Sequence, residues 1–274
     1  MNRLCVIGDP VGHSLSPVIQ QCMLRAAGLD WCYERCCVRR GELADFMAAA
    51  RQGAYVGFNV TMPHKKTILP LLDELTAEAR CCGAVNTVRM TAGRAIGHNT
   101  DAQGFVDSLR AADFAPEGKC VLLLGSGGAA QAVAAAVLRS GAAQVIVCAR
   151  HREQAQRLKA LYDDRVKLVP FTQETLFAYS GAVELLVNAT PLGMAGQEDF
   201  SDVSFLRQSH ALIYDLVYHP EETTLLHQAK QLHLATVGGM ELLIHQAMLA
   251  FTFFTGIEPE AAMKQTIREA LRQV

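Results

Sequence analysis

The sequence predicts an α/β protein in two units, on three observations. Its 274 residues are long for one domain and about right for two. Short apolar runs alternate with longer amphipathic ones, which signals parallel strands joined by crossover helices. That alternation restarts at Cys120 after a first full set.

The first set opens with a strand at Leu4 to Ile7 and a helix from about Pro17 to Ala27. A strand near Tyr33 to Val38, a helix near Glu42 to Arg51 and a strand from Tyr55 to Val60 follow. A helical stretch is expected after Pro63, then strands at Ala84 to Arg89 and Arg94 to Gly97, and a helix beginning near Asp101. The second set has strands at Cys120 to Leu124, Gln144 to Cys148, Leu185 to Asn188 and Ala211 to Leu216. An alanine-rich helix follows its first strand, and another runs from about Arg152 to Leu161. Helices at about Met240 to Phe254 and Glu260 to Leu271 close the chain after Gly238-Gly239. Hinges are expected near 100–106 and 236–240, so the last helices can return to the first unit.

Composition narrows the functional class. Half the residues are apolar and 19% are charged, ordinary for a chain with buried cores. A net charge of −2 and a pI of about 6.5 leave no basic field for nucleic acid or an anionic membrane, and neither is expected as a partner. The most apolar stretch, Leu242 to Phe254, is broken by His245 and Gln246 and is too short to span a bilayer. No charged leader with an apolar h-region precedes the first strand. The nine cysteines include the adjacent pairs Cys36-Cys37 and Cys81-Cys82, with no CxxC and no Cys/His zinc spacing. They read as reduced thiols in a cytoplasmic protein, and no metal is expected. A homodimer is compatible with the sequence, which does not determine the oligomeric state.

A dinucleotide site is the sharpest local signal. The strand Cys120 to Leu124 runs directly into Gly125-Ser126-Gly127-Gly128-Ala129-Ala130 and then a helix-forming segment. That is the strand–turn–helix context a G-x-G-x-x-G/A motif requires. Gly125 allows the tight turn, Gly127 admits a pyrophosphate, and Ala130 keeps helix and strand close. The helix N-terminus adds free N–H groups and positive potential. About 20 residues on, an NAD site would carry an acid for the ribose diol. Here the strand ends Cys148-Ala149-Arg150-His151-Arg152. A cationic cluster suits a 2′-phosphate, because arginine offers that group a planar fork. NADP is therefore favoured over NAD.

Four polar clusters crowd the strand ends of the first unit: Gly12 to Pro17, Asn59 to Lys66, Gly83 to Thr87 and His98 to Asp101. Ligands bind outside the carboxyl ends of strands in open α/β sheets. Pro63 is expected at the first position of a helix, placing Lys65 in its first turn. The dipole there disfavours a cation by only about 0.3–1 kcal/mol, so burial would have to supply most of any pKa shift. From this segment alone, a surface lysine beside Lys66 is the preferred reading. Asp101 reads equally as a first-turn acid after the capping-box pair Thr100 and Gln103. Ser14 and Ser16 read equally as turn residues before Pro17. Gln246 shares a helical row with Leu243, Ala250 and Phe253, where a buried amide needs a partner.

Taken together, HSLSP, NVTMPHK, GAVNT, NTD, GSGGA, NATPLGM, YDLVY and GGMELLIHQ resemble the shikimate dehydrogenase family from end to end and in its order. The resemblance implies NADPH-dependent, reversible reduction of 3-dehydroshikimate to shikimate on the route to aromatic amino acids. It implies Lys65 as proton donor paired with Asp101, and Ser14 and Ser16 as binders of the substrate carboxylate. Thr61, Asn86 and Gln246 would contact substrate hydroxyls, with Tyr218 near the substrate. Gly125, Ser126, Gly127, Gly128 and Ala129 would cradle the pyrophosphate, with Arg150 at the 2′-phosphate. Thr190, Met194 and Gly239 would line the nicotinamide side. The implied fold is an α/β catalytic domain of residues 1–104 and 239–274, plus a Rossmann-type domain of 105–238.

One departure stands out. The family's NRT after the second Rossmann strand reads Ala149-Arg150-His151, which keeps only the arginine. The nearest alternative is a quinate or dual quinate/shikimate dehydrogenase of the same fold. Quinate-acting relatives tend to carry threonine in place of one serine of the Ser-x-Ser pair, so Ser14 and Ser16 favour shikimate. A non-catalytic dinucleotide sensor is the alternative from another class. Lys65, Asp101, Asn86 and Gln246 together argue against it, since a sensor needs no proton donor.

Overall fold

The computed structural model describes residues 1–150, 156, 159–160 and 162–273. It divides into two units, Met1–Gly104 with Ile244–Val274, and Phe105–Leu243.

In the first unit a six-stranded sheet has β1 (Asn2–Gly8) beside β2 (Trp31–Cys37) and β3 (Gly57–Val60), followed by β5 (Thr87–Thr91), β6 (Arg94–His98) and β4 (Glu74–Leu75). The continuous apolar run Leu4 to Ile7 is buried on both faces, as a central parallel strand must be. Strands β1, β2 and β3 are parallel, whereas β5 runs antiparallel to both β3 and β6. That reversal sets the amino end of β5 beside the carboxyl ends of β1, β3 and β6. Helices α1 (Ser16–Ala26) and α2 (Leu43–Arg51) follow β1 and β2, and α2 buries Leu43, Met47 and Ala50 at helical spacing. Short helices α3 (His64–Thr67) and α4 (Ala77–Cys82) follow β3 and β4. The core gathers Ile7, Phe58, Val60, Ile68 and Val88.

In the second unit a wholly parallel sheet has the order β12 (Thr236–Val237), β11 (Leu212–Asp215), β10 (Leu185–Asn188), β7 (Cys120–Leu124), β8 (Gln144–Ala149) and β9 (Val166–Pro170). Counted from β7, that is the doubly wound order 3-2-1-4-5-6. Helix α5 (Asp101–Ala111) leads into the unit, and α6 (Gly128–Arg139) follows β7. Helix α6 buries Ala130, Val133, Ala134 and Val137, small residues that let it lie close to the sheet. Helices α7 (Gln173–Ser180), α8 (Thr224–Gln231), α9 (Gly239–Thr255) and α10 (Met263–Leu271) complete the chain. The second division falls between Leu243 and Ile244, inside α9.

Several elements differ from expectation. Strands β4 and β12 span two residues each, too few for a period to register. Strand β9 is an edge strand that carries Lys167 and ends in Pro170, features that mask a strand in sequence. Helices α4, α7 and α8 escape the sequence reading, being only six to eight residues long. The strand expected from Ala84 starts at Thr87. Gly83 closes α4 in a left-handed conformation at φ 58°, and the three residues after it form a loop. The helix expected at Arg152 to Leu161 lies outside the described residues, apart from positions 156, 159 and 160. Among the described residues no helix is long and apolar enough to cross a membrane.

Candidate active site

The sheet of the first unit converges its polar clusters at one edge. The Lys65 Nζ donates to Asp101 Oδ2 at 2.7 Å, with the two side chains 37% and 23% exposed. The other Asp101 oxygen, Oδ1, accepts from Asn86 Nδ2 at 2.8 Å. Asn86 is nearly buried, and its four hydrogen-bonding sites are all taken. Its Oδ1 accepts from the Thr100 N–H and the Thr87 hydroxyl, while Nδ2 donates to Thr100 Oγ1 and Asp101. The Thr100 hydroxyl donates on to Gln246 Oε1 at 3.4 Å. Lys65, Asn86, Asp101 and Gln246, scattered over 182 positions (246 − 65 + 1), thus form one cluster.

Local structure holds the lysine differently from expectation. Pro63 caps α3 at φ −95°, ψ 14° and is not its first residue. The helix has four residues, too short to build the macrodipole invoked for Lys65. The segment is held by its backbone and by His64. Val85 N–H donates to the Lys65 carbonyl at 2.8 Å, and the buried His64 ring bonds the Val38 carbonyl at 2.6 Å. The Thr100 hydroxyl serves Asn86 and Gln246, and Asn99 Oδ1 accepts the Asp101 N–H at 3.0 Å. Gly104, one turn into α5, packs against α9 so closely that a Cβ would come within 2.8 Å of the Gln246 backbone nitrogen.

Ser14 and Ser16 follow β1 and are partly exposed, but not on a strand-like segment. Leu15 has helical angles (φ −85°, ψ −7°), Ser16 is the first residue of α1, and Ser14 Oγ accepts the Ser16 N–H at 3.3 Å. The Ser14 carbonyl is gripped by Arg35, from Nε at 3.0 Å and Nη2 at 2.7 Å. Thr61 follows β3, its N–H bonded to the Ile7 carbonyl at 2.9 Å.

The remaining candidates belong to the second unit. Gly125 turns the chain at φ +107°, a conformation open to glycine, and lies where a Cβ would stand 3.0 Å from the Ala189 carbonyl. Gly127 caps α6 with extended angles and no side-chain cap, and nothing lies within 4 Å of a Cβ built on it or on Gly128. Gly127, Gly128 and Ala129 are exposed, Ser126 is buried, and Ala130 is wholly buried against the sheet. Open space at a helix N-terminus with no side-chain cap is what a nucleotide's pyrophosphate needs. Arg150 is exposed, 3.8 Å from Glu198 and 5.5 Å from the Phe171 ring centroid. It opens on a pocket of about 420 Å³ with Phe171, Leu192 and Glu198. His151 and Arg152, the rest of the expected cationic cluster, lie outside the described residues. Thr190 spends its proton on Asn188 Oδ1 at 2.6 Å, and Met194 and Tyr218 are each 39% exposed. Gly239 packs against the Leu216 and Val217 carbonyls, an approach that itself requires glycine.

Sequence reasoning overlooked a buried knot beneath the nucleotide loops. Asn188 Nδ2 donates to Asp215 Oδ1 at 2.9 Å, and Thr223 donates to Oδ2 at 2.7 Å. The signal was available: Asn188 and Asp215 are polar residues ending apolar strands, LLVN and LIYD. Burial raises the Asp215 carboxyl to about 6, outweighing the lowering by Thr223, the Val217 N–H and Asn188. A carboxyl raised on folding contributes stability below its unfolded pKa and loses it as pH rises through the folded value. Asp215→Asn should therefore gain about 2 kcal/mol on the wild type between pH 4 and pH 7. Urea titrations of both proteins at the two pH values check this. A difference independent of pH would contradict it.

Residues 6–88 match the shikimate dehydrogenase substrate binding domain, and residues 239–272 the shikimate 5′-dehydrogenase C-terminal domain. The chain is 40% identical over 279 aligned positions to the shikimate dehydrogenase (NADP(+)) of Geobacter metallireducens, covering 98% of this chain and 97% of that one. It is 34% identical to the shikimate 5-dehydrogenase of Thermus thermophilus, solved in complex with NADP(H) and shikimate, with a TM-score of 0.87 over 98% of this chain and 100% of that one. It is also similar to the quinate dehydrogenase of Corynebacterium glutamicum in complex with NAD, at 32% identity and a TM-score of 0.90, over 100% and 99% of the two chains. By fold, motif order and near full-length identity, the chain belongs to the shikimate dehydrogenase family.

Proposed function

We propose that the chain is an NADP-dependent shikimate dehydrogenase that reversibly reduces 3-dehydroshikimate to shikimate, with Lys65 as the proton donor. The observation that carries this is the half-buried Lys65–Asp101 pair, 2.7 Å apart and fixed from behind by Asn86. Reduction of a ketone places charge on its oxygen, and a positioned ammonium can protonate that oxygen as the charge develops. Asp101 keeps the ammonium aimed, and Asn86 leaves only Oδ2 for that task. In the oxidative direction Lys65 accepts the hydroxyl proton.

Binding roles follow from placement. Ser14 and Ser16 offer hydroxyls to the substrate carboxylate, with Arg35 holding the Ser14 backbone. Thr61 and Gln246 contact ring hydroxyls. A substrate hydroxyl reaches Asn86 only in exchange for one of its four bonds, so Asn86 acts chiefly by orienting Asp101. Tyr218 contributes near the substrate. Gly125, Ser126, Gly127, Gly128 and Ala129 would hold the pyrophosphate, Arg150 the 2′-phosphate, and Thr190, Met194 and Gly239 would line the nicotinamide side. Bound there, NADP would take up or supply the hydride. Nine free cysteines fit a reducing, cytoplasmic setting.

A two-by-two grid of shikimate or quinate with NADP⁺ or NAD⁺ tests the reading. Shikimate with NADP⁺ should give the highest kcat/KM. Quinate carries an extra hydroxyl on a tetrahedral carbon, and a pocket selecting by shape rejects such an addition only about a hundredfold. Ser16→Thr, which adds one methyl at the carboxylate end, should shift that ratio. Arg150→Ala should lower kcat/KM for NADP⁺ and spare NAD⁺. Better turnover of quinate than of shikimate would replace the substrate, and equal loss with both cofactors would remove the role of Arg150.

A further inference from the structure

A buried row of side chains runs behind the active-site cluster, and the direction of every hydrogen bond in it is set by backbone groups. Asn86 Oδ1 accepts the Thr100 N–H at 2.9 Å, and a backbone N–H can only donate. The Asn86 amide nitrogen must therefore face Asp101. Asn59 Nδ2 donates to the Asn86 backbone carbonyl at 3.1 Å, and a carbonyl can only accept. Asn59 Oδ1 must then face Tyr33, so the single Tyr33 proton is donated to it, at 2.7 Å. Asn59 Nδ2 also donates to Thr87 Oγ1 at 3.0 Å, which obliges the Thr87 hydroxyl to donate onward to Asn86 Oδ1 at 2.9 Å. Tyr33, Asn59, Thr87 and Asn86 are all under 9% exposed.

Building on the proposed roles of Lys65 and Asp101, we propose that Tyr33, Asn59 and Thr87 are positioning residues of the reaction. They form one directional chain, Tyr33 to Asn59 to Thr87 to Asn86 to Asp101, that fixes the carboxylate holding Lys65. The three act through Asn86. Buried amides and hydroxyls are costly to leave unpaired, so each link holds the next in a single rotamer. Cutting the chain leaves Asn86 anchored by its two bonds to Thr100 but less firmly seated, so the partner on Asp101 Oδ1 is held more loosely.

Kinetics of variants cut at two points test this. Tyr33→Phe removes the first donor, and Thr87→Val removes the third link with little change of shape. Each should lower kcat for shikimate oxidation about tenfold, because small misplacement of a reacting group is costly, while KM for NADP⁺ stays within twofold. The double variant should lose no more than the worse single variant, since a chain already cut cannot be cut again. Thr87→Ser, which keeps the hydroxyl, should restore kcat. Losses that multiply in the double variant would overturn the proposal, as would a folded Tyr33→Phe with kcat within twofold of wild type. Should Tyr33→Phe not fold, the Thr87 pair decides: recovery in the serine variant supports the chain, and equal impairment of both refutes it. A wild-type protein inactive on shikimate would refute the underlying assignment as well, whereas an active one with multiplying losses refutes the positioning chain alone.

Discussion

Lys65→Ala is expected to lower kcat for shikimate oxidation by about 10²–10⁴-fold, the usual worth of positioned acid–base help. Its effect on KM should be small. The lysine meets an oxygen whose charge changes along the reaction, so its contribution is concentrated in the transition state and falls on kcat. The geometry adds a second component: Asp101 Oδ2, 2.7 Å from Nζ, would be left without its cation in a site only 23% exposed. Lys65→Arg should not rescue, because arginine keeps the charge but does not release its proton near neutral pH. Steady-state kinetics with both substrates varied check this. Near-wild-type kcat with a raised KM for shikimate would make Lys65 a binding residue.

Gly127→Val is expected to weaken NADP⁺ binding about a hundredfold, equal to an overpacking cost of about 2–3 kcal/mol. The fold should tolerate the change. Gly127 has φ −70° and ψ −173°, which any residue adopts, and its Cβ would meet nothing within 4 Å. Valine is a poorer helix cap than glycine, a loss of about 1 kcal/mol. The branched side chain would occupy the space assigned to the pyrophosphate and shield the N-terminus of α6. Calorimetric titration with NADP⁺, together with the Tm of the variant, separates the two effects. Unchanged affinity would move the nucleotide away from this turn.

How far the sequence speaks depends on distance along the chain. The nucleotide turn is local, so its strand, glycines and helix could be read together, and the structure places Gly125 at positive φ and Ala130 in the core. The catalytic pair is separated by 36 positions, and nothing near Lys65 alone distinguishes it from a surface lysine. Its environment arises only because β5 runs antiparallel and returns Asn86 to the edge where β3 and β6 end. Alternation of apolar residues reveals that a strand exists, not which way it runs. Tyr33 has the same opacity: in sequence it is one more aromatic on a strand, and only its bond to Asn59 gives it a task. The expectation for Pro63 failed for a different reason. A proline before a helix fits both the cap and the first turn, and the non-helical angles of Pro63 place it at the cap.

The most direct test of hydride exchange at this site follows an isotope. Shikimate deuterated at the carbinol carbon that becomes the ketone, incubated with NADP⁺ and the purified protein, should yield NADPH one mass unit heavier, with 3-dehydroshikimate formed in equal amount. Lys65→Ala should form the same deuterated product far more slowly. Formation of NADPH without deuterium, or none with shikimate in a protein that binds both ligands, would contradict the assignment.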